Sequence, residues 1–264
     1  MFKHHWPELY TGPWIVGGNV AKVKVVHELQ HLISAGFANS ILDIGIVGLR
    51  PLEFWEPILE TYASQFHLTG VDVRGIDRAR QVVEQRNWEK QVILHQGSGY
   101  TLHKLFAPES FDVVVATQVL EHIAQLPRFI QQAATVMRSG GQGFLTVDSA
   151  HYQSRFDIKA PVRLAKNLAK KGLSLLGYEK HFDLPLMDHE IISTCKNAGL
   201  KTQTCRYYNL YPIKFIHNHV VPDDRKNTFL KLWFDLEEFL NDIDTISLRI
   251  RHLFMGLYIH VVKP

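Results

Sequence analysis

Short apolar segments bounded by turn residues recur along the chain and predict seven β-strands. They are Ser40–Ile46, Leu68–Val73, Gln91–Gln96, Phe111–Thr117, Gln142–Val147, Lys201–Asn209 and Gly256–Val262. The stretches Pro51–Phe66, Arg78–Asn87 and Gln125–Met137 instead repeat apolar residues at helical spacing. Because strands and helices alternate through the first five strands, we predict a doubly wound, Rossmann-like α/β fold with a mostly parallel sheet and helices on both faces.

Two local patterns sharpen this prediction. The run Phe111–Ala116 is almost entirely apolar and rich in β-branched residues, which is typical of a central strand buried on both sides. The run Met137-Arg138-Ser139-Gly140-Gly141 predicts a helix with a basic last turn that stops at glycine before the fifth strand.

We expect one domain over residues 1–264, with residues 1–37 as an N-terminal helical cover and 150–185 and 222–255 as lid insertions. Basic and apolar residues at helical spacing between Lys159 and Lys171 favour a solvated lid face over a membrane or phosphate site. The aromatic residues Trp6, Tyr10 and Trp14 either cap a bound cofactor or pack on the sheet.

The composition mainly argues against certain partners and sites. The 264 residues carry 29 Lys and Arg against 26 Asp and Glu, a net charge of +3, which gives no reason to expect a nucleic-acid partner. Two cysteines, Cys195 and Cys205, are too few for a disulfide scaffold and lack metal-ligand spacing, so we expect no metal site. We see neither a secretory signal pattern nor a transmembrane segment, and we expect a cytoplasmic protein with a small-molecule partner.

The first candidate ligand-binding residues lie at the predicted ends of the first two strands. Ile41-Leu42-Asp43-Ile44-Gly45, followed by Gly48, places an acid and glycines where open α/β sheets bind ligands. Gly70-Val71-Asp72-Val73 ends the second strand with an acid that is suited to bind a ribose diol. The two acids together favour a nucleoside ligand.

The segment Ser110-Phe111-Asp112-Val113-Val114-Val115-Ala116-Thr117-Gln118-Val119-Leu120-Glu121-His122-Ile123 resembles the fourth-strand motif of class I S-adenosylmethionine-dependent methyltransferases. Within that class it is similar to the small-molecule branch, of the methyltransferase type 11 kind. The resemblance continues through Val136–Val147 and Gly256–Pro264, and it covers roughly residues 38–150 and 180–264. It implies a seven-stranded sheet with an antiparallel last strand and S-adenosyl-L-methionine as the cofactor.

The resemblance also implies roles for single residues. Asp43 and Gly45 would line the methionine end of the cofactor, and Asp72 would bind the ribose hydroxyls. Gln118 and Val119 would border the sulfonium, and His122 would lie near the adenine or the methyl-transfer face. The remaining positions that it assigns to cofactor binding are Gly48, Val73, Gly97, Ser98 and Gly99.

Three positions depart from the family pattern. Ser98 replaces an acid that usually contacts the adenine amino group, and Val47 and Leu49 occupy the later glycine positions of the first loop. These departures motivate a second hypothesis, in which the fold has lost activity and serves as a binding or assembly subunit. A nicotinamide-dependent oxidoreductase is a third, but the required Gly-x-Gly-x-x-Gly is missing after the first strand.

Methyl transfer from a sulfonium needs a base only if the acceptor must lose a proton. His151 is the first candidate because it directly follows the fifth strand, with His122 and His181 as further candidates. The simpler interpretations stay open: Asp43 as a turn residue, Glu121-His122 as a helix start, and His151 as a loop residue. We predict methyl transfer to an oxygen or nitrogen of a small aromatic, lipid-like or glycan acceptor, and a homodimer stays open.

Overall fold

The computed structural model describes residues 19–48, 50–52, 54–152, 165, 186–243 and 250–264. Its strands are β1 (Ser40–Ile44), β2 (His67–Asp72), β3 (Val92–Gln96), β4 (Phe111–Thr117), β5 (Met137–Asp148), β6 (Lys201–Leu210) and β7 (Phe254–Val262). Its labelled helices are α1 (Val20–Ser34), α2 (Trp55–Tyr62), α3 (Ile76–Gln85), α4 (Leu126–Val136), α5 (Asp188–Asn197), α6 (Tyr211–His219) and α7 (Lys226–Asp242).

The strands form one sheet in the order β3-β2-β1-β4-β5-β7-β6. The β1–β2, β2–β3, β1–β4 and β4–β5 pairs are parallel, whereas β7 runs antiparallel to both β5 and β6. The predicted fold class is therefore confirmed, including the antiparallel last strand. The order changes direction between β1 and β4, and in open α/β sheets such a crevice at the carboxyl ends of the strands binds ligands.

The strand predictions are correct in position but differ at several ends. β1 ends at Ile44 rather than Ile46, because the chain turns at Gly45 with a φ of +92°. β2 ends at Asp72 rather than Val73, and β7 begins at Phe254 rather than Gly256.

The predicted helix end at Met137–Gly141 is wrong. α4 ends at Val136, and Met137 is already extended and pairs with Phe111 of β4. Gly140 has the left-handed φ of +78° that the sequence suggested, but it serves a turn inside β5, where its N–H donates to the Lys263 carbonyl at 2.7 Å. The left-handed conformation predicted for this glycine is therefore present, but it occurs at an irregularity within β5 and does not end a helix.

Both faces of the sheet are covered by apolar residues. α1, α2, α3 and α7 contribute to one core, in which Trp55, Trp233 and Phe234 are at most 2% exposed. α4 and α5 contribute to the other core, around Phe129 and Ile191. This two-sided burial explains the nearly continuous apolar run of β4, whose Asp112 and Thr117 alone are half-buried.

The predicted cover and lid segments are only partly described. Residues 19–37 include α1, and 222–255 include α7; their roles as cover and lid stay predictions. The predicted basic helix, apart from Ala165, and the aromatic residues Trp6, Tyr10 and Trp14 lie outside the described residues. Within the described ranges, we find no helix with the length and apolar character needed to cross a membrane.

Candidate active site

The loops after β1 and β4 touch at the carboxyl edge of the sheet. A Cβ atom placed on Gly45 would lie only 2.4 Å from Cγ2 of Val119, so a side chain at position 45 has no room. The Gly45 N–H donates to the Val71 carbonyl at 2.7 Å, which ties the same turn to β2. The two predicted residues Gly45 and Val119 are thus direct neighbours, although they lie far apart in sequence.

Asp72 fastens the loop after β1 to the end of β2. Its Oδ2 accepts a hydrogen bond from the Val47 N–H and its Oδ1 one from the Arg74 N–H, both at 3.2 Å. An ionised carboxylate has about four acceptor positions, so each oxygen keeps capacity for another donor. Asp72 therefore has the geometry to accept hydrogen bonds from a diol while its own orientation is fixed.

Asp43 is a buried acid at the end of β1. Burial raises its pKa to about 7, and the negative charge of Asp72 acts in the same direction. A hydrogen bond from Trp55 Nε1 to Asp43 Oδ2 at 2.6 Å and the charge of Lys22 on α1 oppose that rise. Asp43 thus lies within β1 and is only 3% exposed, and its charge would respond to a cation placed beside it.

The loop after β3 is tied to both of its neighbours. The Gly97 N–H donates to the Asp72 carbonyl at 2.9 Å, and Ser98 Oγ accepts from the Tyr100 N–H at 3.2 Å. The Tyr100 hydroxyl in turn accepts from the N–H groups of Ala124 and Gln125, at 2.8 and 3.1 Å. Ser98 therefore stabilises its own turn, and Tyr100 connects this loop to the one after β4.

Gln118 is held in a strained conformation directly after β4. Its φ is +55°, which is uncommon for a residue other than glycine, and its N–H donates to the Thr146 carbonyl at 2.9 Å. Its Nε2 atom is buried and has no hydrogen-bond partner among the described residues. A buried donor that the fold leaves unsatisfied is costly, and a nucleoside ligand at this edge offers acceptors for it.

The other predicted cofactor positions surround these loops. His122 closes a short 3₁₀ turn, Leu120–His122, rather than an α-helix. Gly48 has a φ of +46°, and Val73 is 45% exposed. Gly99 packs against α4, since a Cβ there would lie 2.4 Å from Cε2 of Phe129. Gly99 therefore has a packing reason to be glycine, apart from any ligand.

A second polar cluster lies beyond the end of β5. His151 Nε2 is 3.3 Å from Asp188 Oδ1, at the start of α5. The other carboxylate oxygen of Asp188 accepts from the Tyr207 hydroxyl and from Arg251 Nη1, the latter at 2.9 Å. His151 is therefore part of a cluster of charged and polar residues, and its role as a base stays a prediction. The third candidate base, His181, lies outside the described residues.

Sequence reasoning missed three residues of these clusters. Trp55 stood inside a predicted helix, and only its spacing from Asp43 could have suggested that it donates to that acid. Tyr100 follows the Gly-Ser-Gly turn, but nothing local indicates that its hydroxyl caps the loop after β4. Asp188 had a helix-start signal and no signal for its contact with His151. In the part of the chain that the structure describes, no group of three or more His, Cys, Asp or Glu could bind a metal ion.

Comparisons with known proteins agree with this architecture. Residues 50–145 match the family model described as "Methyltransferase domain". No curated protein matches the chain.

Solved structures with the same fold are numerous. A putative sarcosine dimethylglycine methyltransferase from Galdieria sulphuraria is 10% identical with a TM-score of 0.58, over 91% of this chain and 86% of that one. Geranyl diphosphate C-methyltransferase from Streptomyces coelicolor A3(2), in complex with Mg²⁺, geranyl diphosphate and S-adenosyl-L-homocysteine, is 10% identical with a TM-score of 0.58, over 92% and 79%. The [4+2]-cyclase SpnF is 14% identical with a TM-score of 0.56, over 91% and 80%.

The cyclase shows that this fold does not by itself fix the reaction. The family-model match supplies the more specific result, because it includes the loops after β2, β3 and β4. Residues 50–145 therefore resemble a methyltransferase domain, and the whole chain has the fold of class I S-adenosylmethionine-dependent methyltransferases.

Proposed function

We propose that this enzyme transfers the methyl group of S-adenosyl-L-methionine to an oxygen or nitrogen of a small-molecule acceptor. The observation that carries the proposal is the convergence of the loops after β1, β2 and β4 at one edge of the sheet. Asp43, Asp72 and Gln118 each present a polar group there, and the Gly45–Val119 contact and the Asp72–Val47 hydrogen bond join the loops directly.

The cofactor roles follow from the chemistry of each group. Asp72 binds the ribose hydroxyls, Asp43 and Gly45 line the methionine end, and Gln118 and Val119 border the sulfonium. Around them we place Gly48, Val73, Gly97, Ser98, Gly99 and His122. When bound, the cofactor supplies a methyl group on an activated leaving group, so the protein contributes alignment and exclusion of water.

The acceptor is proposed to enter above β5 and β6. Tyr152 and Tyr211 lie there with ring centroids 5.3 Å apart, and Phe215 is 49% exposed one turn further along α6. Aromatic rings of this kind suit an aromatic, lipid-like or glycan acceptor. We propose the segments 1–37, 150–185 and 222–255 as cover and lids of this opening, in a cytoplasmic enzyme without a nucleic-acid partner.

The second candidate function is a cofactor-free binding or assembly protein. It is motivated by Val47, Leu49 and Ser98, which stand where the family pattern has glycines and an acid, and by the use of Ser98 Oγ in a hydrogen bond from the Tyr100 N–H within its own turn. The two functions make opposite predictions for cofactor binding.

Titration calorimetry with S-adenosyl-L-methionine tests the proposal. We expect binding, and we expect Asp72→Ala to weaken it by about 1.5–3 kcal/mol, because hydrogen bonds to a charged group contribute about that much. Asp77→Ala is the matched control, because Asp77 lies in the first turn of α3, only five residues away, and forms an exposed ion pair with Arg80. No heat of binding at millimolar cofactor would favour the second function, and equal affinity in the two variants would remove Asp72 from the site.

A further inference from the structure

The cluster beyond β5 carries an inference about the acceptor. We propose that Asp188 is the positioning residue that fixes His151 as a general base, and that the methyl acceptor is a hydroxyl group, whose proton this base removes. This inference rests on the proposed function, because it assigns the acceptor side of the same site.

The first step is the contact between the two side chains. Asp188 Oδ1 is 3.3 Å from His151 Nε2, and its carboxylate is only 10% exposed. The same oxygen accepts from the His189 N–H at 2.7 Å, so it is fixed to the first turn of α5. A carboxylate at this distance favours the imidazole tautomer with its proton on Nε2, and this leaves Nδ1 as the basic nitrogen.

The Asp188 carboxylate is held in a fixed orientation. Its Oδ2 accepts from the Tyr207 hydroxyl on β6 and from Arg251 Nη1 just before β7. The guanidinium carbon of Arg251 lies 4.9 Å from the centroid of the Tyr207 ring, so these two donors also hold each other. Burial acts to raise the pKa of Asp188, but the hydrogen bonds from Tyr207, His189 and His151 outweigh it and lower the pKa. Asp188 is thus an ionised, oriented acceptor.

The third step is the place of the cluster. The Ser149 N–H donates to the Met255 carbonyl at 2.8 Å and the Ala150 N–H to the Leu186 carbonyl at 3.0 Å, which fixes the chain just before His151. β5 also carries Thr146, which accepts from the Gln118 N–H at the proposed sulfonium end of the site. His151 therefore follows the strand that borders the transfer site, at the same edge of the sheet.

With a hydroxyl acceptor, methyl transfer and proton removal occur in one balanced reaction. Nδ1 of His151 takes the hydroxyl proton, and the acceptor oxygen uses an electron pair to form the bond to the methyl carbon. The carbon–sulfur bond breaks, its electron pair stays on sulfur, and the sulfonium becomes a neutral thioether. Asp188 stabilises the imidazolium that forms. A thioether or tertiary amine has no proton to lose and would gain nothing from this arrangement.

Two measurements on Asp188→Asn test the inference. ¹⁵N NMR of the histidine side chains, assigned with His151→Ala, reports the tautomer in the unliganded protein. We expect the Nε2–H form in the parent protein and loss of that preference in Asp188→Asn, since an amide can donate to Nε2 instead. Glu190→Gln is the matched control, because it makes the same change two residues away in α5, where Glu190 accepts from the Met187 N–H.

Transfer of tritiated methyl groups is measured with hydroxyl probes (4-nitrophenol, 1-octanol and methyl glucoside) and with proton-free probes (thioanisole and N,N-dimethylaniline). We expect transfer to at least one hydroxyl probe, with kcat reduced about 10²–10⁴-fold in Asp188→Asn and unchanged cofactor affinity. Glu190→Gln should keep the parent kcat.

The outcomes separate the two proposals. An unchanged tautomer in Asp188→Asn would overturn the positioning role, whether or not the cofactor binds. Cofactor binding with transfer only to thioanisole or N,N-dimethylaniline, or to none of the hydroxyl probes, would overturn the acceptor class and leave the proposed cofactor site intact. Absence of cofactor binding would instead count against the proposed function.

Discussion

The two halves of the sheet are held to their neighbouring elements by different kinds of contact. In the half built from β1 to β4, the loops meet through close backbone approach and apolar contact, as between Gly45 and Val119. In the half built from β5, β7 and β6, buried charges connect the elements. Lys24 of α1 pairs with Glu238 of α7 at 2.9 Å, and Glu238 also accepts from Arg206 at 3.2 Å.

This difference indicates a division of labour. Loop contacts that depend on glycine and backbone hydrogen bonds can be shaped by short local motifs. A site made of charged networks depends on residues from several elements, so each charge needs its partners in place. We expect substitutions in the first half to destabilise the protein mainly when they add steric bulk. In the second half, we expect them to do so mainly when they remove the partner of a buried charge.

The largest expected effect is on the charged half. Glu238→Ala removes a carboxylate that is 2% exposed and leaves Lys24, Arg206 and the Tyr208 hydroxyl without it. We expect a loss of about 3 kcal/mol in the free energy of unfolding by urea, at the lower end for a broken buried pair. The lower end applies because Lys24 keeps Glu28 and Arg206 keeps Asp242, each at 2.8–2.9 Å.

Asp223→Ala is the control for that experiment. Asp223 pairs with Lys226 at 2.7 Å, but its side chain is 94% exposed and the pair is screened by solvent, so its removal should change the free energy of unfolding far less than Glu238→Ala does. Equal losses in the two variants would show that the Glu238 network adds nothing beyond an exposed ion pair.

The next effect concerns the cofactor half. Gly45→Ala places a methyl group 2.4 Å from Val119 Cγ2 and requires alanine at a φ of +92°. We expect a loss of about 1–3 kcal/mol in unfolding free energy, the usual range for overpacking, together with weaker binding of S-adenosyl-L-methionine.

A double variant separates the two causes. Val119→Ala removes the clashing atom, so Gly45→Ala with Val119→Ala should be more stable than the sum of the single losses, while the backbone strain remains. Strict additivity would contradict a direct contact between the two loops.

The same division explains what the sequence could predict. The strand ends that carry Asp43, Asp72 and Gln118 follow from local apolar patterns and turn residues, and the order of strands makes them neighbours. The Met137–Gly141 run of β5, at the border between the halves, is a local pattern that failed, because tertiary pairing with β4 overrode a helix-end pattern.

The charged half could not be predicted in the same way. Asp188 contacts His151, 37 positions earlier, and Arg251, 63 positions later, and neither spacing has a local signal. Glu237 and Glu238 read as ordinary surface acids of an amphipathic helix, yet both are at most 2% exposed. Partners for buried charges come from packing between distant elements, and periodicity carries no information about them.

The smallest expected effect is a change in proton uptake at Asp43. Its pKa is raised to about 7, chiefly by burial, so near neutral pH roughly half of the molecules carry a proton there. Bound S-adenosyl-L-methionine would place positive charge beside this carboxylate and favour its ionised form. We therefore expect cofactor binding at pH 7 to release about half a proton, measured by calorimetry in buffers of different ionisation enthalpy.

The pH dependence of this release gives the sharper test. Proton release should decrease at lower pH, where Asp43 stays protonated in both states, and at higher pH, where the free protein is already ionised. Trp55→Phe removes the hydrogen bond that favours the charged form, so it raises the pKa of Asp43 and moves the maximum of proton release to higher pH. Asp43→Asn should abolish this release. Release that persists in Asp43→Asn would show that another group titrates on binding, and the methionine end of the cofactor would then lie away from Asp43.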